Sequence, residues 1–175
     1  MYEPRDDSYL LQKYVRLYAR GNVLDMGTGS GVQAISALGN SNVTSVSGAD
    51  VDEEVISELK NKYKANKKIK FIVSDLFLNI KNEKFDTIIF NPPYLPEEEP
   101  KDVALDGGKK GYEVLERFFG KAKNNLNKNG IILVVFSSLT NKKKVDEIIK
   151  RNKLKFKLLE EKNIFFEKLY VYLVE

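Results

Sequence analysis

Four polar side chains sit at or near the ends of short apolar runs in the first half of the chain: Asp25 within residues 22–26, Asp50 ending residues 43–50, Asp75 ending residues 69–75, and Asn91 following residues 87–90. Such runs, rich in β-branched and aromatic residues, read as buried strands. In an open α/β sheet, ligands bind outside the carboxyl ends of the strands, so these residues would form a row of hydrogen-bond acceptors at one end of the sheet. The run that holds Asp25 leads into Gly27-Thr28-Gly29-Ser30-Gly31. Glycines between a strand and a helix let backbone approach a ligand closely and present helix N-terminal N–H groups. An acid ending the next strand, about 20 residues on, is placed to bond ribose hydroxyls, the role expected of Asp50. The spacing Gly-x-Gly-x-Gly is not the Gly-x-Gly-x-x-Gly of dinucleotide sites, and no Gly-Lys-Ser/Thr follows. Neither NAD nor a P-loop nucleotide fits well.

Asn91-Pro92-Pro93-Tyr94 is the second feature. Proline has no N–H and cannot continue a central strand, the residue before it is held extended, and the second proline fixes φ again. Asn91 and the Pro92 carbonyl therefore sit on stiff backbone at a strand's carboxyl end. Alone, the tetrapeptide reads first as a rigid turn; its place in the row of acceptors makes it a candidate for chemistry. The 175 residues include no histidine and no cysteine, which removes imidazole bases, thiol nucleophiles and the usual transition-metal ligands. Chemistry here must use Asn, Asp, Glu, Tyr, Ser, Lys or backbone groups, and no metal site is expected.

The elements that must position these groups follow from periodicity. Leu10, Leu11, Tyr14, Leu17 and Tyr18 predict a helix, which Asp6, Asp7 or Ser8 can cap. After the glycine loop, Val32, Ile35 and Leu38 share a helix face that ends near Gly39. A helix is predicted over 52–65, with Val55, Ile56, Leu59 and Tyr63 inward and Glu53 and Glu54 in the first turn, where the dipole favours anions. Residues 95–111 are a long loop, acidic at Glu97, Glu98, Glu99 and Asp102 and then glycine-rich; long loops in compact domains are usually functional or disordered. A helix over 111–126 carries Leu115, Phe118, Phe119, Ala122 and Leu126 on one stripe, and Asn129-Gly130 turns it into a fifth strand. After a helix over 141–151, Leu154, Phe156 and Leu158 alternate with Lys155 and Lys157 as a half-exposed strand, and residues 169–174 form the last.

Strands alternating with helices argue a parallel sheet with helices on both faces. The final two strands, joined through residues 162–166, must pair antiparallel, because a parallel return needs a longer crossover. Without repeats, low-complexity segments or linkers, residues 1–175 read as one domain. Hydrophobic residues make up 42% and charged residues 31%, ordinary for a globular protein. The longest apolar run, 131–136, is too short to span a bilayer, and residues 1–7 lack an apolar h-region, so a cytoplasmic location without a membrane partner is expected. The net charge of +4 fits either a nucleic-acid partner or a soluble surface.

On these residues the chain resembles the seven-stranded S-adenosylmethionine-dependent methyltransferases. Val23-Leu24-Asp25-Met26-Gly27-Thr28-Gly29-Ser30-Gly31 is similar to their cofactor loop, and Asn91-Pro92-Pro93-Tyr94 to the signature of members that methylate planar amide or amino nitrogens. Tyr2-Glu3-Pro4 with Asp7-Ser8, Asp75-Leu76, and Ala104-Leu105-Asp106-Gly107-Gly108 with Gly111 resemble the HemK-type glutamine methyltransferases of peptide-chain release factors. The short archaeal and eukaryotic branch is the expected one, since bacterial members carry an N-terminal helical domain and this chain starts at Tyr-Glu-Pro. Leu105 departs from the pattern: some short-branch members have tryptophan there, which puts the substrate pocket wall in question.

The resemblance implies a Rossmann-like α/β sheet in the order 3-2-1-4-5-7-6, mostly parallel with an antiparallel last strand, and S-adenosyl-L-methionine as cofactor. It implies cofactor contacts from Ser8, Asp25, Gly27, Gly29, Asp50, Asp75 and Leu76, with Asp25 at the methionine end, Asp50 at the ribose and Asp75 at the adenine amino group. It also implies that Asn91, Pro92 and Tyr94 are catalytic. A primary amide nitrogen is a poor nucleophile because its lone pair is delocalised. The Asn91 side-chain oxygen and the Pro92 carbonyl would accept its two N–H groups and hold it for in-line attack, positioning supplying much of the rate, while Tyr94 stacks on the flat amide.

The expected substrate is a glutamine of a release factor. The rival is N6-adenine methylation of DNA or RNA, since the same signature serves flipped bases, and Lys67-Lys68, Lys109-Lys110 and Lys142, Lys143 and Lys144 favour it. Against it stand the lack of a target-recognition domain and the acids at 97–99, where phosphates would pass. Protein lysine is a further alternative. Residues 69–75 would lie at the sheet's edge, carrying Ile69, Phe71, Ile72 and Val73 without a proline, a liability unless something covers them. The resemblance implies a small zinc-binding activator protein that adds a strand there.

Overall fold

A computed structural model describes residues 4–93 and 111–175; Tyr2, Glu3, Tyr94, the acids at 97–99 and 102, the motif at 104–108, and Lys109-Lys110 lie outside them. Strands β1 (Gly21–Met26), β2 (Val43–Asp50), β3 (Ile69–Val73), β4 (Phe85–Phe90), β5 (Leu126–Ser137), β6 (Phe156–Ile164) and β7 (Glu167–Val174) form one sheet in the order β3-β2-β1-β4-β5-β7-β6. Neighbours from β3 to β5 pair parallel, and β7 runs antiparallel to both β5 and β6. The expected α/β architecture is borne out. The chain builds outward from β1 to β3 and then crosses back to β4, so the strand order reverses between β1 and β4, where a ligand crevice opens at the carboxyl ends.

Around the sheet stand α1 (Asp6–Tyr18), α2 (Val32–Leu38), α3 (Glu53–Lys62), α4 (Glu113–Ala122) and α5 (Lys142–Arg151). Successive strand residues point to opposite faces: Leu24 and Ile88 pack with Phe118, Phe119 and Ile148, whereas Val23 and Ile89 pack with Leu11, Val15 and Ala34. A sheet buried on both faces explains why its central strands are unbroken apolar runs. Phe118, fully buried, centres three ring contacts, with Phe77 at 5.4 Å, Phe90 at 4.4 Å and Phe119 at 5.1 Å between centroids. Such pairs add about 0.5–1.5 kcal/mol each beyond area burial, and they fix Phe90, the residue that delivers Asn91. No helix among the described residues is long and apolar enough to cross a membrane.

Several local expectations need correction. Helix α1 starts at Asp6 after Arg5, without a side-chain cap, so Asp7 and Ser8 lie inside it and are buried; Asp6 does not cap either. Val15 completes its inner face, while Leu17 and Tyr18 are exposed. On α2 the buried residues are Gln33, Ala34, Ser36 and Ala37 rather than Val32, Ile35 and Leu38, because small side chains let the helix lie close to its neighbours. Asp52 precedes α3 as its cap, accepting from the N–H groups of Glu54 and Val55, and the helix ends at Lys62. Leu126 belongs to β5, not to the preceding helix: it pairs with Phe85 while Ile131 pairs with Thr87, so Asn129-Gly130 is an irregularity inside the strand. Strand β3 stops at Val73, just short of Asp75. Strand β6 runs on to Ile164, leaving only Phe165-Phe166 as the connection; its register slips between Leu158 and Glu160, and Leu158 is exposed on this edge strand.

Candidate active site

Gly27, Gly29 and Gly31 all have positive φ, at 63°, 48° and 80°, a backbone that side chains with a Cβ rarely tolerate. The loop they shape is clamped to β2. Thr28 N–H donates to the Ala49 carbonyl at 2.9 Å, and Gly29 N–H to Asp50 Oδ2 at 2.9 Å. Asp50 Oδ1 accepts from Asp52 N–H at 3.1 Å, so one carboxylate ties the glycine loop to the start of α3. A Cβ at Gly27 would lie 3.6 Å from the Phe90 ring and 3.9 Å from the Asn91 carbonyl oxygen. The glycine loop therefore abuts the end of β4.

Asp25 lies beneath the loop, 1% exposed. Its Oδ2 accepts from Thr28 Oγ1 at 2.7 Å and from Ala34 N–H at 3.0 Å, joining β1, the loop and α2. Burial pushes its carboxyl up to about 7; the two hydrogen bonds oppose the rise, and the nearby Asp50 charge adds to it. Past β3, Leu76 is left-handed at φ 47°, an uncommon state for a leucine. Ser74 holds it there: its Oγ donates to the Leu76 carbonyl at 2.6 Å and accepts from Asn79 N–H at 3.0 Å. Asp75 is half-exposed and pairs with Arg117 at 2.6 Å.

Asn91 is held from α1. Its Nδ2 lies 3.3 Å from Asp7 Oδ2 and 3.2 Å from Ser8 Oγ, while its Oδ1 is buried with no hydrogen-bond partner among the described residues. Gln33 supports the same helix start, Nε2 donating to the Ser8 carbonyl at 2.8 Å. Of the expected site residues, Asp25, Gly27, Gly29 and Asp50 come together through the loop, Ser8 and Asn91 through a direct hydrogen bond, and Asp75 and Leu76 stand past β3, two strands away. Pro92 follows on the same backbone, and Tyr94 lies outside the described residues. Sequence reasoning missed the supporting roles of Thr28, Gln33, Ser74 and Asp7; polar residues on the inner face of a helix beside Ala34 and Ala37 were the available signal for Gln33. One cleft of about 660 Å³ between α1, α2 and Tyr63 includes Ser30 and Gly31 but none of the expected site residues.

A sheet of this order, with a glycine loop after β1, an acid closing β2 and Asn-Pro-Pro after β4, defines the Rossmann-like methyltransferase class. A family model described as "Methyltransferase small domain" matches residues 6–166, and the chain belongs to that family. A Methanocaldococcus jannaschii protein provisionally named a protein N5-glutamine methyltransferase is 36% identical over 98% of this chain and 89% of its own length. The ribosomal protein uL3 glutamine methyltransferase of Francisella tularensis is 33% identical over 65% of this chain, which spans 40% of that longer protein. Among solved structures, Mtq2 in the E. cuniculi Mtq2–Trm112 complex shares the fold with a TM-score of 0.79 at 24% identity, covering 99% of this chain and 97% of that one. The chain is thus an S-adenosylmethionine-dependent methyltransferase.

Proposed function

We propose that this chain methylates the side-chain amide nitrogen of a glutamine in a peptide-chain release factor, working in the cytoplasm as one domain over residues 1–175. The M. jannaschii relative is named for protein glutamine N5, and the Mtq2–Trm112 complex is described as responsible for methylating the translation termination factor eRF1. The observation that carries the reading is the Asn91 amide, whose oxygen is buried without a hydrogen-bond partner among the described residues at the end of β4, beside Gly27. An acceptor in that state suits a primary amide, which brings N–H groups and carries no charge.

When bound, S-adenosylmethionine supplies a methyl group on a positively charged sulfur. Gly27 and Gly29 would offer it bare backbone, the Asp25 carboxyl would serve the methionine end, Asp50 the ribose, and Asp75 with Leu76 the adenine, while Ser8 would close the site from α1. Asn91 Oδ1 and the Pro92 carbonyl would take the two amide N–H groups, and Tyr94 would cover the amide plane. The acceptors polarise the nitrogen as positive charge develops on it, and the methylated nitrogen, strongly acidic while charged, sheds one N–H proton to water, so no strong base is needed.

The deciding experiment offers labelled S-adenosylmethionine with purified release factor, ribosomal protein uL3, DNA, RNA and a lysine-rich peptide in parallel. Label on a glutamine of the release factor is the expected result; label on adenine or lysine instead would replace this reading. The partner reading is a small zinc-binding activator that adds a strand to β3. It is supported by the position of β3 at the sheet's edge, with Ile69, Ile72 and Val73 only half-buried, and by the presence of Trm112 beside Mtq2. The Lys68 carbonyl and the Ser74 N–H bond to β2, so Ile72, of the same parity, faces β2 and the Val73 N–H faces the open edge. Val73→Pro removes that N–H and should abolish co-purification with the activator, whereas undiminished capture by a folded variant would move the partner elsewhere.

A further inference from the structure

We propose that Asp7 is a positioning residue that sets which end of the Asn91 amide faces the substrate. The inference rests on the reading of Asn91 as the acceptor for substrate N–H groups, and it concerns how the chain keeps that acceptor turned the right way. An asparagine amide has two ends of similar size, one that donates and one that accepts, and a half-turn exchanges them. Only the oxygen end can hold an amide N–H.

At position 91 the nitrogen end meets two oxygens, Asp7 Oδ2 at 3.3 Å and Ser8 Oγ at 3.2 Å. A carboxylate only accepts hydrogen bonds. The Ser8 hydroxyl donates to Asp7 Oδ1 at 3.2 Å, which leaves the serine lone pairs for Asn91. Both Nδ2 hydrogens are thereby used. Turning the amide over would set its oxygen against Asp7 Oδ2 with no hydrogen between them. The buried Oδ1, with no partner among the described residues, would gain by turning toward any donor. Asp7 forbids the turn and so preserves an acceptor that stays ready until a substrate N–H arrives, the kind of preorganisation on which transition-state stabilisation depends.

The carboxylate is itself held. Asp7 is 3% exposed and Ser8 2%, and the Ser8 N–H also donates to Asp7 Oδ1, at 2.6 Å. The Gln33 amide clamps the Ser8 carbonyl at 2.8 Å, so α2 braces the helix start that braces Asn91. Asp7 lies in the first turn of α1 rather than at its N-cap, which is Arg5; one of its oxygens takes the Ser8 N–H and the other faces Asn91.

The test is a double-mutant cycle on Asp7→Ala and Asn91→Ala, run on the acceptor that the wild type methylates. Asp7→Ala should lower kcat by about 10- to 100-fold, by analogy with the loss on removing a residue that orients a metal ligand. The KM for the acceptor and the Kd for S-adenosylmethionine should stay near wild type. The double variant should be no slower than Asn91→Ala alone, because Asp7 acts through Asn91. In NMR spectra of protein labelled with ¹⁵N-asparagine, exchange of the Asn91 side-chain hydrogens with water should quicken in Asp7→Ala. Asp7→Asn keeps the volume and one accepting oxygen and should recover part of the rate; it carries the same cycle if Asp7→Ala does not fold. Losses that add in the double variant, or exchange that does not change, overturn the inference. A wild type that methylates some acceptor other than the release factor overturns the proposed substrate, and the cycle then decides the role of Asp7 on that acceptor.

Discussion

Asp25→Asn should stabilise the protein, and increasingly so as pH rises. Buried beneath the glycine loop, the Asp25 carboxyl is pushed up from 3.8 to about 7, chiefly by desolvation. Between those values the folded chain holds a proton that the unfolded chain has released, so stability falls as pH rises through the window and levels off above it. At about 1.4 kcal/mol per pH unit, the full interval sets a ceiling of ~4 kcal/mol on the loss. Asparagine cannot ionise, yet its oxygen can still accept from Thr28 Oγ1 and Ala34 N–H, the two bonds that join β1, the loop and α2. Urea unfolding of both proteins from pH 5 to pH 8 reads the difference, which should widen by ~2–3 kcal/mol across that range. Curves that stay parallel would refute the reasoning. If Asp25 serves the methionine end of the cofactor, the same substitution weakens S-adenosylmethionine binding at pH 8 while raising stability, opposite changes that a packing defect would not produce.

Asn91→Ala should lower kcat by about 10² to 10³ with calorimetric binding of S-adenosylmethionine unchanged; retention of more than about a tenth of the activity would mean that Asn91 does not hold the reacting nitrogen. Gly48→Ala would bring a Cβ to 2.7 Å from Phe71 Cδ1 and 3.0 Å from Thr28 Oγ1, an overpacking that should cost about 1–3 kcal/mol in urea unfolding. The Tyr172 hydroxyl donates to Asp146 Oδ1 at 2.7 Å, and burial together with that carboxylate raises its pKa; Tyr172→Phe should cost ~1 kcal/mol, measured the same way. Phe165 and Phe166 stand fully exposed between β6 and β7, so changing both to serine should leave the unfolding midpoint nearly unchanged, within about 0.5 kcal/mol.

The central strands were legible because the sheet is buried on both faces, which turns each strand into an apolar run bounded by glycine, proline or an acid. The row of Asp25, Asp50, Asp75 and Asn91 followed from those boundaries. Local rules failed where a neighbour made the decision. Asn129-Gly130 carries a turn signal, yet it lies inside β5, where a Cβ on Gly130 would sit 2.9 Å from the Phe85 carbonyl oxygen; only pairing with β4 distinguishes a turn from an irregular strand. The inner face of α2 is made of small and polar residues because α1 approaches it closely, with Gln12 Nε2 donating to Ser36 Oγ at 2.7 Å, and an apolar-face rule selects the wrong side.

Asp7 shows the same limit at the site itself. An acid next to a helix start reads as a cap, which is its commonest use. Two residues' difference in where α1 begins puts it inside the helix and turns it inward, toward an asparagine 84 positions away. Residue type and spacing therefore identify Asn91 as a group that can accept a hydrogen bond, but an asparagine can donate as readily. Which of the two it does depends on what faces its nitrogen, and that is settled by the packing of α1 against the end of β4.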